Sequence, residues 1–206
     1  MNHFRIFAVF SVLLLAASQP SYAKSLEGQP AGEYNLDLAH ASIVWKVSHF
    51  GLSDYVGRFN KFDATVDLNT EDFTKSSVEV VIDTASLDTD YPKPEKVDFN
   101  QKLIGEWFKG AEFPQITFTS TAVSELNGDQ FTIDGDLTLL GKTLPVTLDA
   151  KLNGALEAHP FSKAPVIGFG AVTTIKRADW GLDQRIKFIG ADVRVEIQGE
   201  FQQKSE

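Results

Sequence analysis

Few side chains in this sequence stand at the spacing that a catalytic or metal centre requires. His40 and His49 flank a strand-like segment, and nine residues of extended chain can separate two side chains by ~30 Å. We therefore expect two separately hydrogen-bonded histidines rather than a shared metal site. No serine lies in a Gly-x-Ser-x-Gly turn, and the acidic residues select no convergent pair of carboxylates such as a hydrolase uses. These observations predict neither a catalytic residue nor a bound metal.

One charged segment points to binding rather than to catalysis. Arg177 and Asp179 are two residues apart and would share one face of an extended segment, with Trp180 on the other face. Two interpretations stay open for this segment. It is a surface ion pair beside a core tryptophan, or it places Arg177 near the mouth of a pocket as an anchor for an anionic or carbonyl head group.

Composition narrows the class of protein. The chain has 206 residues, of which 43% are hydrophobic and 23% charged, and this balance is typical of a globular protein. It has no cysteine, which excludes disulfides, thiolate metal ligands and cysteine nucleophiles. A net charge of −9 makes a nucleic acid or an anionic membrane surface a poor electrostatic partner.

The N-terminus has the pattern of an export signal. Arg5 precedes the apolar run 6–17, and the small-x-small sequence 21–23 ends just before Lys24. The run is shorter than the ~20 apolar residues that a spanning helix needs. We expect cleavage after residue 23, a single mature domain over 24–206, a periplasmic location and no membrane-spanning segment after cleavage.

Alternation with a period of two recurs along the mature chain, which is typical of strands with one buried face. Short turns such as Asn127-Gly128, Gly141-Lys142 and Asn153-Gly154 separate the runs and favour antiparallel hairpins. We predict about eight strands of one all-β domain. The alternating runs begin at Ile43, Phe62, Val78, Ile116, Phe131, Leu144, Ile167 and Val193.

The segment 91–114 interrupts this rhythm. Val97, Leu103, Ile104 and Trp107 stand near helical spacing after a proline-rich stretch, which predicts one or two short helices. The segment is either a connection packed on the sheet or a lid across one end of a barrel.

Eight antiparallel strands form either a sandwich or a closed barrel, and long strands joined by short turns favour the barrel. Its inward faces would combine large side chains such as Phe118 with small ones such as Gly135 and Gly170. Either neighbouring side chains close the gaps that the small residues leave, or a long, narrow, apolar cavity remains. Such a cavity fits a slender lipid better than a compact metabolite.

Seven short motifs follow one another from about Gly32 to Phe201. They are Tyr34-Asn-Leu-Asp37, His40-Ala-Ser-Ile-Val-Trp-Lys-Val-Ser-His49-Phe-Gly51, Gly57-Arg-Phe59-Asn-Lys-Phe62, Ala85-Ser-Leu-Asp-Thr89, Phe113-Pro-Gln-Ile-Thr-Phe-Thr-Ser-Thr121, Gly135-Asp-Leu-Thr-Leu-Leu-Gly141-Lys-Thr-Leu-Pro-Val146 and Ile175-Lys-Arg177-Ala-Asp-Trp-Gly181. In this order, over essentially the whole mature domain, they resemble the YceI-like family of exported proteins.

The resemblance implies an extended, lipocalin-like antiparallel barrel that binds a polyisoprenoid, an isoprenoid quinone or a similar long-chain amphiphile. It also implies a carrier or storage protein, often a homodimer, without an established catalytic activity. One stretch departs from the family pattern, because 95–103 lacks the histidine that relatives usually carry there. If that stretch contacts a head group in relatives, this chain is expected to prefer a different one.

The leading hypothesis is an exported lipid-binding protein with an apolar barrel cavity. The predicted wall residues are Trp45, Val47, Phe50, Phe59, Phe62, Phe118, Ile133 and Phe169, with Trp107, Phe108 and Trp180 near the mouth or lid and Arg177 at the polar end. Two alternatives are an enzyme acting on a small amphiphile, which would use His49 with Asp179 or Arg177, and a fully packed, ligand-free barrel that binds a partner.

Overall fold

The computed structural model describes residues 25–93 and 95–204, so the predicted export signal at 1–23 lies outside the described residues. Ten strands, all paired antiparallel, form one continuous sheet. The strands are β1 (Gly32–His49), β2 (Ser53–Phe59), β3 (Phe62–Leu68), β4 (Ser77–Asp83), β5 (Leu87–Asp88), β6 (Gln115–Val123), β7 (Gln130–Leu139), β8 (Lys142–Leu156), β9 (Val166–Lys176) and β10 (Ile189–Gln203).

The long first strand closes the sheet into a barrel. Along one edge β1 pairs with β10, and along the other it pairs first with β3 and then with β2. Consequently β2 and β3 follow one another as one bent strand, and β5 lies beside β2 beyond the end of β4. The ring is β10-β9-β8-β7-β6-β4-β3-β1, which confirms the predicted eight-stranded antiparallel barrel.

Three irregularities bend these strands. Residues 60–61 separate β2 from β3, where the spacing of Phe59 and Phe62 already predicts a bulge. In β1, residues 38–41 stand opposite a single residue of β10, Gly199. In β8 the register shifts at Asn153, so the predicted turn at Asn153-Gly154 is wrong. The strand continues through it, because a bulge absorbs one unpaired residue without ending the strand.

The predicted turns at Asn127-Gly128 and Gly141-Lys142 do join strands. The connection between β7 and β8 consists of Leu140 and Gly141, with φ of 52° and 71°. Two successive positive φ angles fit the right-handed twist of a tight antiparallel hairpin.

The connections divide the barrel into two ends. One end, here called the helical end, carries the connections 50–52, 84–114, 140–141 and 177–188. The opposite end, the terminal end, carries the start of β1, the end of β10 and the connections 69–76, 124–129 and 157–165.

The connection between β5 and β6, at the helical end, contains the predicted short helix. Asp98 caps the start of α1 (Phe99–Lys102), because its carboxylate accepts a hydrogen bond from the Gln101 N–H at 2.9 Å. It continues into a π-helical turn, Leu103–Trp107, in which the Phe108 N–H donates to the Leu103 carbonyl at 2.9 Å. One short helical element in 91–114 confirms that prediction.

Buried side chains gather towards both ends of the barrel. At the helical end Leu103 and Ile104 of the π-helical turn pack against Ile43, Leu139 and other strand residues. At the terminal end Tyr34 is fully buried and donates its hydroxyl proton to the Pro30 carbonyl at 2.8 Å. Burial raises the pKa of Tyr34 to about 12. The space between these groups forms the candidate site.

Candidate functional site

The barrel encloses an apolar cavity of about 690 Å³. Packed protein interiors contain few voids larger than one water molecule, whereas ligand pockets range from ~300 to 1,000 Å³. The prediction of a fully packed barrel is therefore wrong. Ten of the twelve predicted site residues line the cavity, namely Trp45, Val47, Phe59, Phe62, Trp107, Phe108, Phe118, Ile133, Phe169 and Arg177.

Small residues create the cavity at some positions and not at others. Ala150 and Ala171 are partners across β8 and β9, and both line the cavity. At Gly135 the gap is closed, because a Cβ there would lie 2.3 Å from Cζ of Phe118. Of the two alternatives open from the sequence, the closed gap therefore holds at Gly135, since the neighbouring aromatic ring fills it.

Two polar groups beside the cavity are buried. Among the described residues the indole N–H of Trp45 has no hydrogen-bond partner, and the hydroxyl of Tyr55 lies beside the Thr89 side chain. Burial raises the pKa of Tyr55. Neither polar atom has surface open to the cavity, and an unpartnered buried donor costs ~1–3 kcal/mol.

Aromatic contacts connect these donors to the helix. The rings of Trp45 and Tyr55 have centroids 6.3 Å apart, and Tyr55 packs edge-on against Phe99 of α1 at 5.8 Å. Phe99 in turn contacts Tyr91 at 5.2 Å. Tyr91 and residues 99–107 thus cover the cavity at the helical end, and movement of the predicted segment 91–114 as a lid stays a prediction.

Sequence reasoning missed Tyr55, Tyr91 and Phe99. In β2, Tyr55, Gly57 and Phe59 alternate with residues of greater exposure, which is the same period-two signal that identifies the other strands. The run is short and has a glycine at its centre, and both features weaken the signal.

The cavity opens towards solvent at the helical end. His49, Lys102, Glu106 and Arg185 line it and are exposed. They belong to the end of β1, to the helical segment and to the connection 177–188. Charged groups therefore collect at this opening, while the wall deeper in the barrel is mainly apolar.

Arg177 does not lie on an extended segment as predicted. Residues Arg177–Trp180 form a 3-10 turn, which ends at Gly181 with φ of 88°. The guanidinium is 3% exposed and donates to the carbonyls of Gly190 at 2.8 Å and of Gln184 and Ile189 at 3.0 Å. It also donates to the Leu182 carbonyl and lies 5.8 Å from the ring centroid of Trp107.

The interpretation as a surface ion pair is therefore wrong, whereas a contact of Arg177 with a head group stays a prediction. Arg177 forms no ion pair with Asp179 within residues 25–93 and 95–204. The guanidinium of Arg177 donates hydrogen bonds to four backbone carbonyls. Most of its five N–H groups therefore stabilise the connection 177–188, which leaves few of them free for a ligand. Desolvation lowers the pKa of Arg177.

Phe50 and Trp180 lie away from the cavity wall. Phe50 is 55% exposed and has a φ of 54° in the turn after β1. Trp180 is 5% exposed, packs in the core at the helical end and donates its indole N–H to the Leu137 carbonyl at 3.2 Å. Alternation along a strand does not extend into turns, so neither placement could be read from it.

The two histidines stand apart, as the spacing predicts. His49 lines the opening, whereas His40 lies in the bulge of β1 and its Nδ1 is 2.8 Å from a carboxylate oxygen of Asp37. Glu200 lies 4.0 Å from the same nitrogen. Hydrogen bonding with Asp37 raises the pKa of His40, and the same contact lowers the pKa of Asp37.

A closed antiparallel barrel around an apolar cavity defines the class of ligand-binding β-barrels. The family model of the YceI-like domain matches residues 34–201. The chain therefore belongs to the YceI family, which confirms the resemblance. Within residues 25–93 and 95–204, no helix has the length and apolar character to span a bilayer.

Known relatives agree with this assignment. A UPF0312 protein of Pectobacterium atrosepticum is 35% identical over 186 residues, which cover 89% of this chain and 93% of the relative. Among solved structures, BcnA of Burkholderia cenocepacia superposes with a TM-score of 0.67 at 25% identity, covering 80% of this chain and 98% of BcnA. A polyisoprenoid binding domain from Saccharophagus degradans has the same fold, with a TM-score of 0.56 at 17% identity over 83% of this chain and 98% of that domain.

Proposed function

We propose that this protein is an exported lipid-binding protein that holds a polyisoprenoid, an isoprenoid quinone or a similar long-chain amphiphile in its barrel. The observation that carries the proposal is the apolar cavity of about 690 Å³, walled mainly by aromatic and aliphatic side chains. Burial of a chain in such a cavity contributes ~0.8 kcal/mol per methylene. The shared fold of the polyisoprenoid binding domain supports the ligand class.

The polar end of the ligand is assigned to the helical end of the cavity. There the exposed side chains of Lys102 and Arg185 line the opening and can donate hydrogen bonds to a carbonyl, hydroxyl or phosphate oxygen. Lys102 belongs to the stretch 95–103, which departs from the family pattern, and it lines the same region. The apolar chain would then extend past Phe118 towards Phe131 and Phe169.

A pair of substitutions on neighbouring positions of β6 tests the proposal. Phe118 lines the cavity, whereas Thr119 is exposed on the outer face. The protein would be extracted with solvent, refolded and titrated with a prenyl quinone or a polyprenol, with tryptophan emission as the signal. Phe118→Arg places a charge in the cavity and is expected to abolish binding, and Thr119→Arg is expected to retain it. Equal binding by both folded variants would contradict the proposal.

An enzyme acting on a small amphiphile is the second hypothesis from the sequence. Across the described ranges 25–93 and 95–204, no hydrogen bond or ion pair joins His49 to Asp179 or Arg177. A turnover activity that His49→Ala removes would favour the enzyme over the carrier. Export to the periplasm and assembly as a homodimer belong to the proposal and rest on the N-terminal pattern and the family resemblance.

A further inference from the structure

Four exposed apolar side chains stand beside the opening of the cavity. Leu52 is 87% and Phe50 is 55% exposed in the turn after β1, and Phe188 is 52% and Ile186 is 41% exposed in the connection 177–188. The two turns touch, because the rings of Phe50 and Phe188 have centroids 5.3 Å apart and the Phe50 N–H donates to the Phe188 carbonyl at 2.7 Å. We call these four residues the rim cluster. Single exposed apolar side chains are ordinary, but a contiguous group marks an interaction surface.

Positive charges alternate with the apolar residues of the rim cluster. Arg185 and Lys187 flank Ile186, and both are exposed. In the part of the chain that the structure describes, neither forms an ion pair, and Asp183 is the nearest acidic residue in the connection. Long cationic side chains beside inserted apolar groups can reach lipid phosphates while the apolar groups enter the acyl region.

The rim cluster is continuous with the cavity opening. His49 directly precedes Phe50 and Arg185 directly precedes Ile186, and both His49 and Arg185 line the cavity. When a long-chain amphiphile moves from the cavity into water, each methylene that becomes exposed makes the transfer equilibrium roughly fourfold less favourable. An opening that meets a bilayer directly avoids that exposure.

We propose that the rim cluster is a membrane-docking surface that inserts into the phosphate and glycerol layer of a phospholipid bilayer. Arg185 and Lys187 then contact lipid phosphates, and the cavity opens onto the acyl chains. The net charge of −9 opposes long-range attraction to an anionic surface, so apolar insertion carries the binding. This inference rests on the proposed lipid-binding function, which supplies the reason for the cavity to face a membrane.

Co-sedimentation with phosphatidylcholine vesicles tests the docking surface. The test variant is Leu52→Ser with Ile186→Ser, since neither residue lines the cavity. The matched control is Phe161→Ser, because Phe161 is 89% exposed on the connection 157–165 at the terminal end. We expect the unaltered protein to sediment with vesicles, the double variant to lose about tenfold or more in partition coefficient, and the control to stay within about twofold.

Three results would overturn the docking surface. The first is an unaltered protein that does not sediment, and the second is a control that loses as much as the double variant. The third is a dimer, detected by light scattering, that the double variant dissociates while vesicle binding is absent, since the rim cluster would then join two copies. Retention of lipid is read separately by native mass spectrometry. A protein that retains lipid but binds no vesicles would refute docking and leave the lipid-binding function standing.

Discussion

The indole ring of Trp45 occupies the space that a side chain at position 57 would need. The two residues are partners across β1 and β2, and a Cβ at Gly57 would lie 2.1 Å from Cζ2 of Trp45. Glycine at this position therefore lets the indole lie against the neighbouring strand. The ring lies against β2 beside Tyr55 of the same strand, and within the described residues its N–H has no hydrogen-bond partner.

Gly57→Ala is expected to displace the indole of Trp45. The added methyl group overlaps the ring, so we expect a loss of ~1–3 kcal/mol in the free energy of unfolding, together with weaker ligand binding and a shifted tryptophan emission. Gly105→Ala is the control, because the Cβ it would add meets no atom within 4 Å apart from its chain neighbours and the backbone of its own helical turn. Unchanged emission and binding in Gly57→Ala would show that the indole does not depend on Gly57.

Ala171→Phe is expected to fill part of the cavity. Ala171 and its partner Ala150 both line the cavity, so a larger ring enters open volume rather than packed core. We expect a change of less than ~1.5 kcal/mol in the free energy of unfolding and at least about tenfold weaker binding of a long prenyl chain. Thr174→Phe, on the exposed face of β9, should leave binding unchanged. Tight binding by Ala171→Phe would indicate that the ligand does not reach this depth.

Arg177 is expected to stabilise the connection 177–188. Its replacement by methionine removes hydrogen bonds to four carbonyls in a buried position, which predicts a loss of ~3–5 kcal/mol in the free energy of unfolding. Arg177→Lys should recover little of this, because an ammonium group cannot reproduce the geometry of a guanidinium. Chemical denaturation measures both losses, with the exposed Lys187→Met expected within ~0.5 kcal/mol of the unaltered protein. Equal stability of all three variants would contradict this role.

The contact of His40 with Asp37 predicts a pH-dependent contribution to stability. The pKa of His40 is raised above its ordinary value of 6.5. The contact therefore contributes fully to the free energy of unfolding at a pH just below 6.5, and this contribution is lost as the pH rises through the raised pKa. The pKa of Asp37 is lowered, so at acid pH the contribution is lost as the pH falls through that lowered pKa. NMR titration of His40 should show its pKa falling in Asp37→Asn.

Glu200→Gln provides a graded control for the same titration. Glu200 lies 4.0 Å from the His40 nitrogen, whereas the hydrogen bond to Asp37 is 2.8 Å, so its replacement should lower the pKa of His40 less. A His40 pKa that neither substitution changes would show that the contact is absent in solution.

The strands of the barrel were predictable because a single physical rule governs them. Where one face of a strand is buried, apolar residues recur at every second position, as in Ile43, Trp45 and Val47. Eight such runs correspond to the eight strands of the ring. The rule also placed Phe118, Ile133 and Phe169 on the cavity wall, because these residues face inward from regular parts of β6, β7 and β9.

The remaining features depend on contacts that alternation does not report. Asn153 lies in a bulge because β9 continues to pair on both sides of it. Arg177 is held by carbonyls as far along the chain as Gly190, which the spacing to Asp179 does not indicate. That the indole N–H of Trp45 lacks a partner among the described residues becomes visible once the positions of the surrounding acceptors are known.

The central claim is that the cavity holds a long-chain amphiphile, and native mass spectrometry of the protein purified from its own cells tests it most directly. Solvent extraction and identification of any released molecule complete the measurement. A stoichiometric mass increment that extracts as a prenyl lipid is the predicted result. A bare polypeptide mass that stays unchanged after incubation with prenyl quinones and polyprenols would contradict the claim.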